Sequence, residues 1–264
     1  MSMLKQISQF AMKGFVTIYP LLLILFSILY VNYLNSPDLL LTLIIYIFIL
    51  VNQFIENQLT NRPLTDKMNP FIPNILLELV NLGLIIFLGV KHSPWIAVLL
   101  LMYTIIVHIQ FIFVKYNLAM LSIIILTLFN SFILPFSIFH LHLNFIPAQL
   151  IRISVTYIIP IFMLEYERFA RKLNRENILH PIFNHSWQKK IISLGLISSL
   201  VIAFLILWPT HTWWTMILLT IPLLTILWHV KSHSHTLKHL VRKHFIIFIL
   251  VSNLIWTIHF TFII

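Results

Sequence analysis

The sequence predicts an all-α fold, a polytopic membrane bundle of nine transmembrane helices with its N-terminus cytoplasmic, and three observations carry that reading. Hydrophobic residues make up 60% of the chain and charged residues 9%, against the roughly 25% charged residues of soluble domains. Apolar runs close to the about 20 residues needed to cross a bilayer recur along the whole length. The cations fall in the connections between alternate runs, as basic loops retained on the cytoplasmic side would. Residues 1–264 are thus expected to form a single integral membrane domain in the plasma membrane, with lipid as its main solvent.

In chain order, Met1 to Gly14 carries Lys5 and Lys13 on a mixed apolar segment and reads as a short interfacial helix. No small-x-small cleavage site follows between 31 and 37, so the first apolar run is expected to be retained. Spans are expected near 15–34, 38–55, 74–91, 94–114, 118–139, 146–164, 190–208, 212–230 and 245–263. This map puts Lys5, Lys13, Arg62, Lys67, Lys115, Arg168, Arg171, Lys172, Arg175 and the later lysines and arginines inside, and only Lys91 outside. The long polar loops, 56–73, 165–189 and 231–244, are then all cytoplasmic, and chemistry is expected to face that side. Pro20, Pro135, Pro160 and Pro222 fall within spans and are expected to kink them.

Composition also excludes several functions. The absence of cysteine removes disulfides, thiolate metal sites and a cysteine nucleophile together. A net charge of +10 is explained by topology, because so apolar a chain has no room for a soluble basic module, and no nucleic-acid partner is expected.

Two polar segments follow apolar runs and hold most of the acids. In Asn52 to Pro63, a helix continued through its inner end places Gln53, Glu56 and Thr60 at i, i+3 and i+7, and Asn52 with Glu56 at i, i+4, on one face. Oxygen-bearing side chains so arranged suit Mg²⁺, which in turn binds diphosphate oxygens. Arg62 offers a planar fork of donors for phosphate and Asp66 a second carboxylate. The plainer account is a polar helix end that meets lipid headgroups. In Glu165 to Glu176, Glu165, Arg168 and Lys172 fall at i, i+3 and i+7, and Glu167 and Arg171 at i, i+4. That segment reads either as a grip on diphosphate with a carboxylate sharing the metal, or as an amphipathic helix knit by ion pairs on anionic lipid.

On these two segments the chain resembles the UbiA-type intramembrane prenyltransferases, which have nine transmembrane helices and carboxylate-rich motifs after the second and sixth. The family's first motif is Asn-Asp-x-x-Asp-x-x-x-Asp, commonly followed by Asn and Arg-Pro. Here Asn52, Asn61, Arg62 and Pro63 match, Glu56 stands for the middle Asp, and Gln53 and Thr60 replace the outer two. The second motif is similar to Glu167 with Arg171 and Lys172. The resemblance implies transfer of an isoprenyl group from its diphosphate to a lipid-soluble, aromatic acceptor, with Glu56 and Glu167 as catalytic residues. It implies Mg²⁺ as cofactor on Glu56, Asp66, Glu165 and Glu167, and diphosphate held by Asn52, Asn61, Arg62, Arg168, Arg171 and Lys172. Loss of two carboxylates at Gln53 and Thr60 weakens the metal site. The alternative is therefore a noncatalytic membrane protein, a degenerate relative or transporter, that binds a polyprenyl lipid or other solute.

Other residues invite attention. His229, His233, His235, His239 and His244 crowd the last inner segment, where His235 and His239 at i, i+4 suit a transition metal but read more simply as a titratable basic loop. Arg152 and Glu78, costly in hydrocarbon, are expected to face the bundle interior. His108 and Gln110 are expected to be satisfied packing residues.

Overall fold

Every described segment of regular structure is helical in the computed structural model, which describes residues 21–61, 72–116, 118–175, 185–207 and 237–262, with a few scattered helical positions between 214 and 224. Helix α1 is Leu21–Leu34. Asp38 then starts α2 (Leu39–Asn61), its Oδ1 accepting the amides of Leu40 and Leu41 at 2.9 and 3.1 Å. Those are orphan donors of a first helical turn, and satisfying them fixes where the helix begins. Helix α3 (Ile72–Lys91) and α4 (Pro94–Lys115) form a tight hairpin across His92 and Ser93. Pro94 suits the first helical position, where its missing N–H costs nothing. Gly89 lets the two helices close: a Cβ added there would lie 2.6 Å from the Cβ of Ala97.

Helices α5 (Ala119–Leu128) and α6 (Leu134–Leu143) are one continuous rod interrupted by a π-helical turn, Phe129–Ile133. Pro135 sits in the first turn of α6. It has no N–H for the carbonyl four residues back and its ring crowds that carbonyl, so a wider turn upstream absorbs the conflict. The rod ends at Asn144 in the left-handed region, φ 57°, with its N–H on the carbonyl of His140 at 3.0 Å. An Asn at that position caps the helix as glycine otherwise would. Helix α7 (Ala148–Arg175) runs 28 residues, followed by α8 (His185–Leu207) and α9 (Leu237–Phe262).

Helix α7 is the organising element, in contact with α5, the π turn, α8 and α9, while α2, α3 and α4 pack mutually and α4 joins α5. Helix α1 is held by rings, Tyr30 against Phe139 at 5.2 Å and Phe26 against Tyr157 at 6.1 Å. Tyr157 donates to Asn253 Oδ1 at 3.1 Å and so ties α7 to α9.

The expected nine membrane crossings are not found among the described residues. Among the described residues, two helices are long and apolar enough to cross a bilayer, Leu39–Glu56 and Ala119–Leu143. Leu21–Leu34, Pro94–Gln110, Lys190–Ile206 and His244–Trp256 are apolar over 10–17 residues, short of the about 20 that a 30 Å hydrocarbon layer needs. Helix α7 carries Glu165, Glu167 and Arg168, expected in the 165–189 loop, within the same continuous helix as Arg152. The alternating map falls with the count, and with it the cytoplasmic N-terminus, the cytoplasmic loops and the plasma-membrane placement. Residues 1–20 and most of 212–230 lie outside the described residues.

Candidate functional site

The two acid-bearing segments meet. Glu56 is 2% exposed near the end of α2, and Arg168, about two turns beyond the middle of α7, forms an ion pair with it through Nη2 and Oε1. Arg168 also donates from Nη1 to Glu165 Oε2 at 3.2 Å, one turn back on its own helix. Gln110 of α4 donates Nε2 to Glu56 Oε1 at 2.6 Å, and Asn130 of the π turn donates Nδ2 to Glu165 Oε1 at 3.3 Å. Four separate segments thus converge on two buried carboxylates and one guanidinium. Such an arrangement survives only because each charge is paired; an isolated carboxylate in this setting would be neutralised instead.

The local reasons are geometric. Glu165 and Arg168 stand at i, i+3 and share a face of α7. Glu167, two residues from Glu165, is turned about 200° away by the helical rotation, and it is buried at 6% exposure. The π turn widens the α5–α6 rod where Asn130 must reach Glu165, which links the Pro135 distortion to the site.

A second polar layer lies along α2, α3 and α4. Asn52 and Asn81 exchange amide hydrogen bonds at 3.0 and 3.2 Å, and Asn81 also donates to Thr104 Oγ1 at 3.1 Å. Asn52 further donates to the carbonyl of Phe48 at 3.0 Å. Its amide thus joins α2 to α3. At the rim, His108 Nε2 pairs with Glu78 Oε1 while Nδ1 lies 2.7 Å from the carbonyl of Thr104. A carbonyl only accepts, so Nδ1 carries a proton.

The expected magnesium site is not formed. Among the described residues, no three His, Cys, Asp or Glu side chains are grouped to hold a metal ion. Glu56 and Glu165 turn their oxygens to Arg168, Gln110 and Asn130, and a guanidinium stands where a dication would be needed. Asp66 lies outside the described residues, as do Arg62 and the side chains of Asn61, Arg171 and Lys172. The cavity beside Asn130, walled also by Phe26, Ser131, Pro135, Ser154 and Tyr157, has a volume of about 20 Å³. That accommodates a single water and no diphosphate. The magnesium-dependent prenyl-transfer reading is therefore overturned by the pairing of its own acids.

Other expectations fare variously. Arg152 is exposed, where an interior position was expected, and Glu78 is half-buried in its pair with His108. His108 and Gln110, expected as packing residues, are the polar partners of Glu78 and Glu56. His244 is buried at 3% exposure against Phe245, while His229, His233 and His235 lie outside the described residues. Asn81, Thr104 and Asn130 were not singled out from the sequence. The available signal was an amide or hydroxyl inside an otherwise apolar helical run, which must find a partner from a neighbouring helix.

No family model, curated protein or solved structure matches this chain.

Proposed function

We propose that the chain is a noncatalytic membrane protein that binds lipid. The observation that carries the reading is the reversal of polarity between its inside and outside. The buried interior contains Glu56, Glu165, Gln110, Asn52, Asn81 and Asn130, bonded to one another across helices. Among the described residues, the outward face of α3 is largely apolar: Ile75, Leu76, Leu79, Val80, Leu82, Ile86 and Val90 are 41–85% exposed. Contiguous apolar surface on that scale is not tolerated in water, and a hydrocarbon environment accounts for it. The two long apolar helices, Leu39–Glu56 and Ala119–Leu143, provide the anchoring.

The ionic knot supports the noncatalytic half of the proposal. Binding diphosphate at Arg168 requires breaking its contacts with Glu56 and Glu165, leaving two carboxylates buried beside an added anion.

The test is to purify the protein in nanodiscs and in mild detergent, incubate it with labelled isoprenyl diphosphates and Mg²⁺, and extract the lipids it retains. Retained lipid without isoprenyl transfer is expected. Mg²⁺-dependent transfer, or a monodisperse protein that keeps no lipid in detergent, contradicts the proposal.

A further inference from the structure

We infer that the cavity at the π turn of the α5–α6 rod is a binding site for one structural water molecule, which completes the hydrogen bonding of Asn130 and through it steadies the ionic knot. The cavity, about 20 Å³, is bounded by Asn130, Ser131 and Pro135 from the rod, Ser154 and Tyr157 from α7, and apolar side chains on its other sides. A water needs roughly 10–15 Å³ of such space and a few polar partners. Both conditions are met here.

The demand for a donor comes from Asn130, which is buried. Its Nδ2 donates to Glu165 Oε1 at 3.3 Å, and because a carboxylate only accepts, that bond fixes which way round the amide sits. Oδ1 is thereby turned away from Glu165, and among the described residues it has no hydrogen-bond partner. Buried amide oxygens are rarely left so in folded proteins. The main chain repeats the shortage at the same point. Within the π turn the N–H of Leu134 goes to the carbonyl of Phe129, five residues back. The next bond in that register would run from residue 135 to the carbonyl of Asn130, and Pro135 has no N–H to give. Around the cavity, Ser131 and Tyr157 have committed their hydroxyl protons, to the carbonyl of Thr127 at 2.6 Å and to Asn253 Oδ1 at 3.1 Å. Their oxygens can still accept, and Ser154 brings a third hydroxyl. One water can therefore donate to Asn130 Oδ1 and to one of these oxygens while it accepts from Ser154. Among the described residues no acid or base lines the cavity. A metal ion there would be surrounded by neutral dipoles and hydrocarbon, at a desolvation cost that a water does not meet.

The test is a crystal structure of the full chain, grown in lipid, at a resolution that shows ordered water. One peak is expected within hydrogen-bonding distance of Asn130 Oδ1 and Ser154 Oγ, with no anomalous signal after a soak in a thallium(I) salt, which replaces bound sodium or potassium. Ser154→Ala, which keeps the room but removes a donor, is expected to weaken the peak. Ser154→Val, which fills the room with methyl groups, is expected to abolish it and to loosen the bond from Asn130 to Glu165. Featureless density at that position in the wild-type protein overturns the inference, as does a peak that Ser154→Val leaves unchanged. So does a thallium peak there, which would make the occupant a cation. The wild-type map decides the question even where a variant does not fold.

Discussion

Arg168 on α7 and Glu56 on α2 form a direct ion pair with the carboxylate buried, and Glu165 takes the other side of the same guanidinium. Two segments that resemble halves of a diphosphate site therefore engage each other. Removal of the cation should be the most damaging change in the chain. Arg168→Met leaves Glu56 and Glu165 without it, at a cost of roughly 3–5 kcal/mol. Glu56→Gln keeps Glu165 opposite Arg168 and should cost less, about 1–3 kcal/mol. Thermal unfolding in detergent checks the order; a milder effect for Arg168→Met would show that the knot is not held by its guanidinium.

The exchanged amides of Asn52 and Asn81 make a second, uncharged prediction. Either residue changed to Leu strands its partner's buried donor and acceptor, for roughly 1–3 kcal/mol each. Changing both removes the need as well as the partner, so the double variant should be less damaged than the sum by about 0.5–3 kcal/mol. Strict additivity in a double-mutant cycle would mean that the two amides do not depend on one another.

Two glycines of α3 should respond in opposite directions to alanine. Gly83 has open space where a Cβ would go, and Gly89 meets Ala97 at 2.6 Å. Gly83→Ala should stabilise by roughly 0.5–1 kcal/mol through the lost backbone freedom of the unfolded chain. Gly89→Ala forces α3 and α4 apart and should destabilise by about 1–3 kcal/mol. Unfolding midpoints of the two variants, moving up and down respectively, are the check.

Asp38 predicts a pH dependence. The backbone amide of Leu41 and, with smaller effect, that of Leu40 hold its carboxyl below the ordinary value of 3.8. A depressed folded value means that the unfolded chain takes up the proton first as pH falls. The contribution of Asp38 is therefore complete above the ordinary carboxylate range and is lost as pH drops through the folded value. Asp38→Asn keeps an acceptor for the same amides and should flatten that part of the profile of melting temperature against pH between 5 and about 2. An identical acid slope in both proteins would assign it to other carboxylates.

The helical class was legible because long apolar runs bounded by polar residues have few other ways to satisfy their backbones. The number of crossings was not. Apolar composition does not distinguish a helix that spans from one that is merely surrounded by apolar neighbours, and α7 shows the difference: its charges continue the helix instead of closing it. At the site, spacing put Glu165 and Arg168 on one face and so made their ion pair readable. That Arg168 would also meet Glu56, or that Gln110 and Asn130 would complete both carboxylates, depended on which helices pack together, and no local pattern encodes that. The same spacing that suits a metal and a diphosphate suits an internal ion pair, and the arrival of a guanidinium on α7 decides between them.

The most direct test of the account is native mass spectrometry of the protein released from nanodiscs in the presence of Mg²⁺ and an isoprenyl diphosphate. The account predicts retained phospholipid and no diphosphate adduct, because Arg168 is already engaged by Glu56 and Glu165. A stoichiometric, Mg²⁺-dependent diphosphate adduct that disappears in a folded Arg168→Lys variant would contradict it.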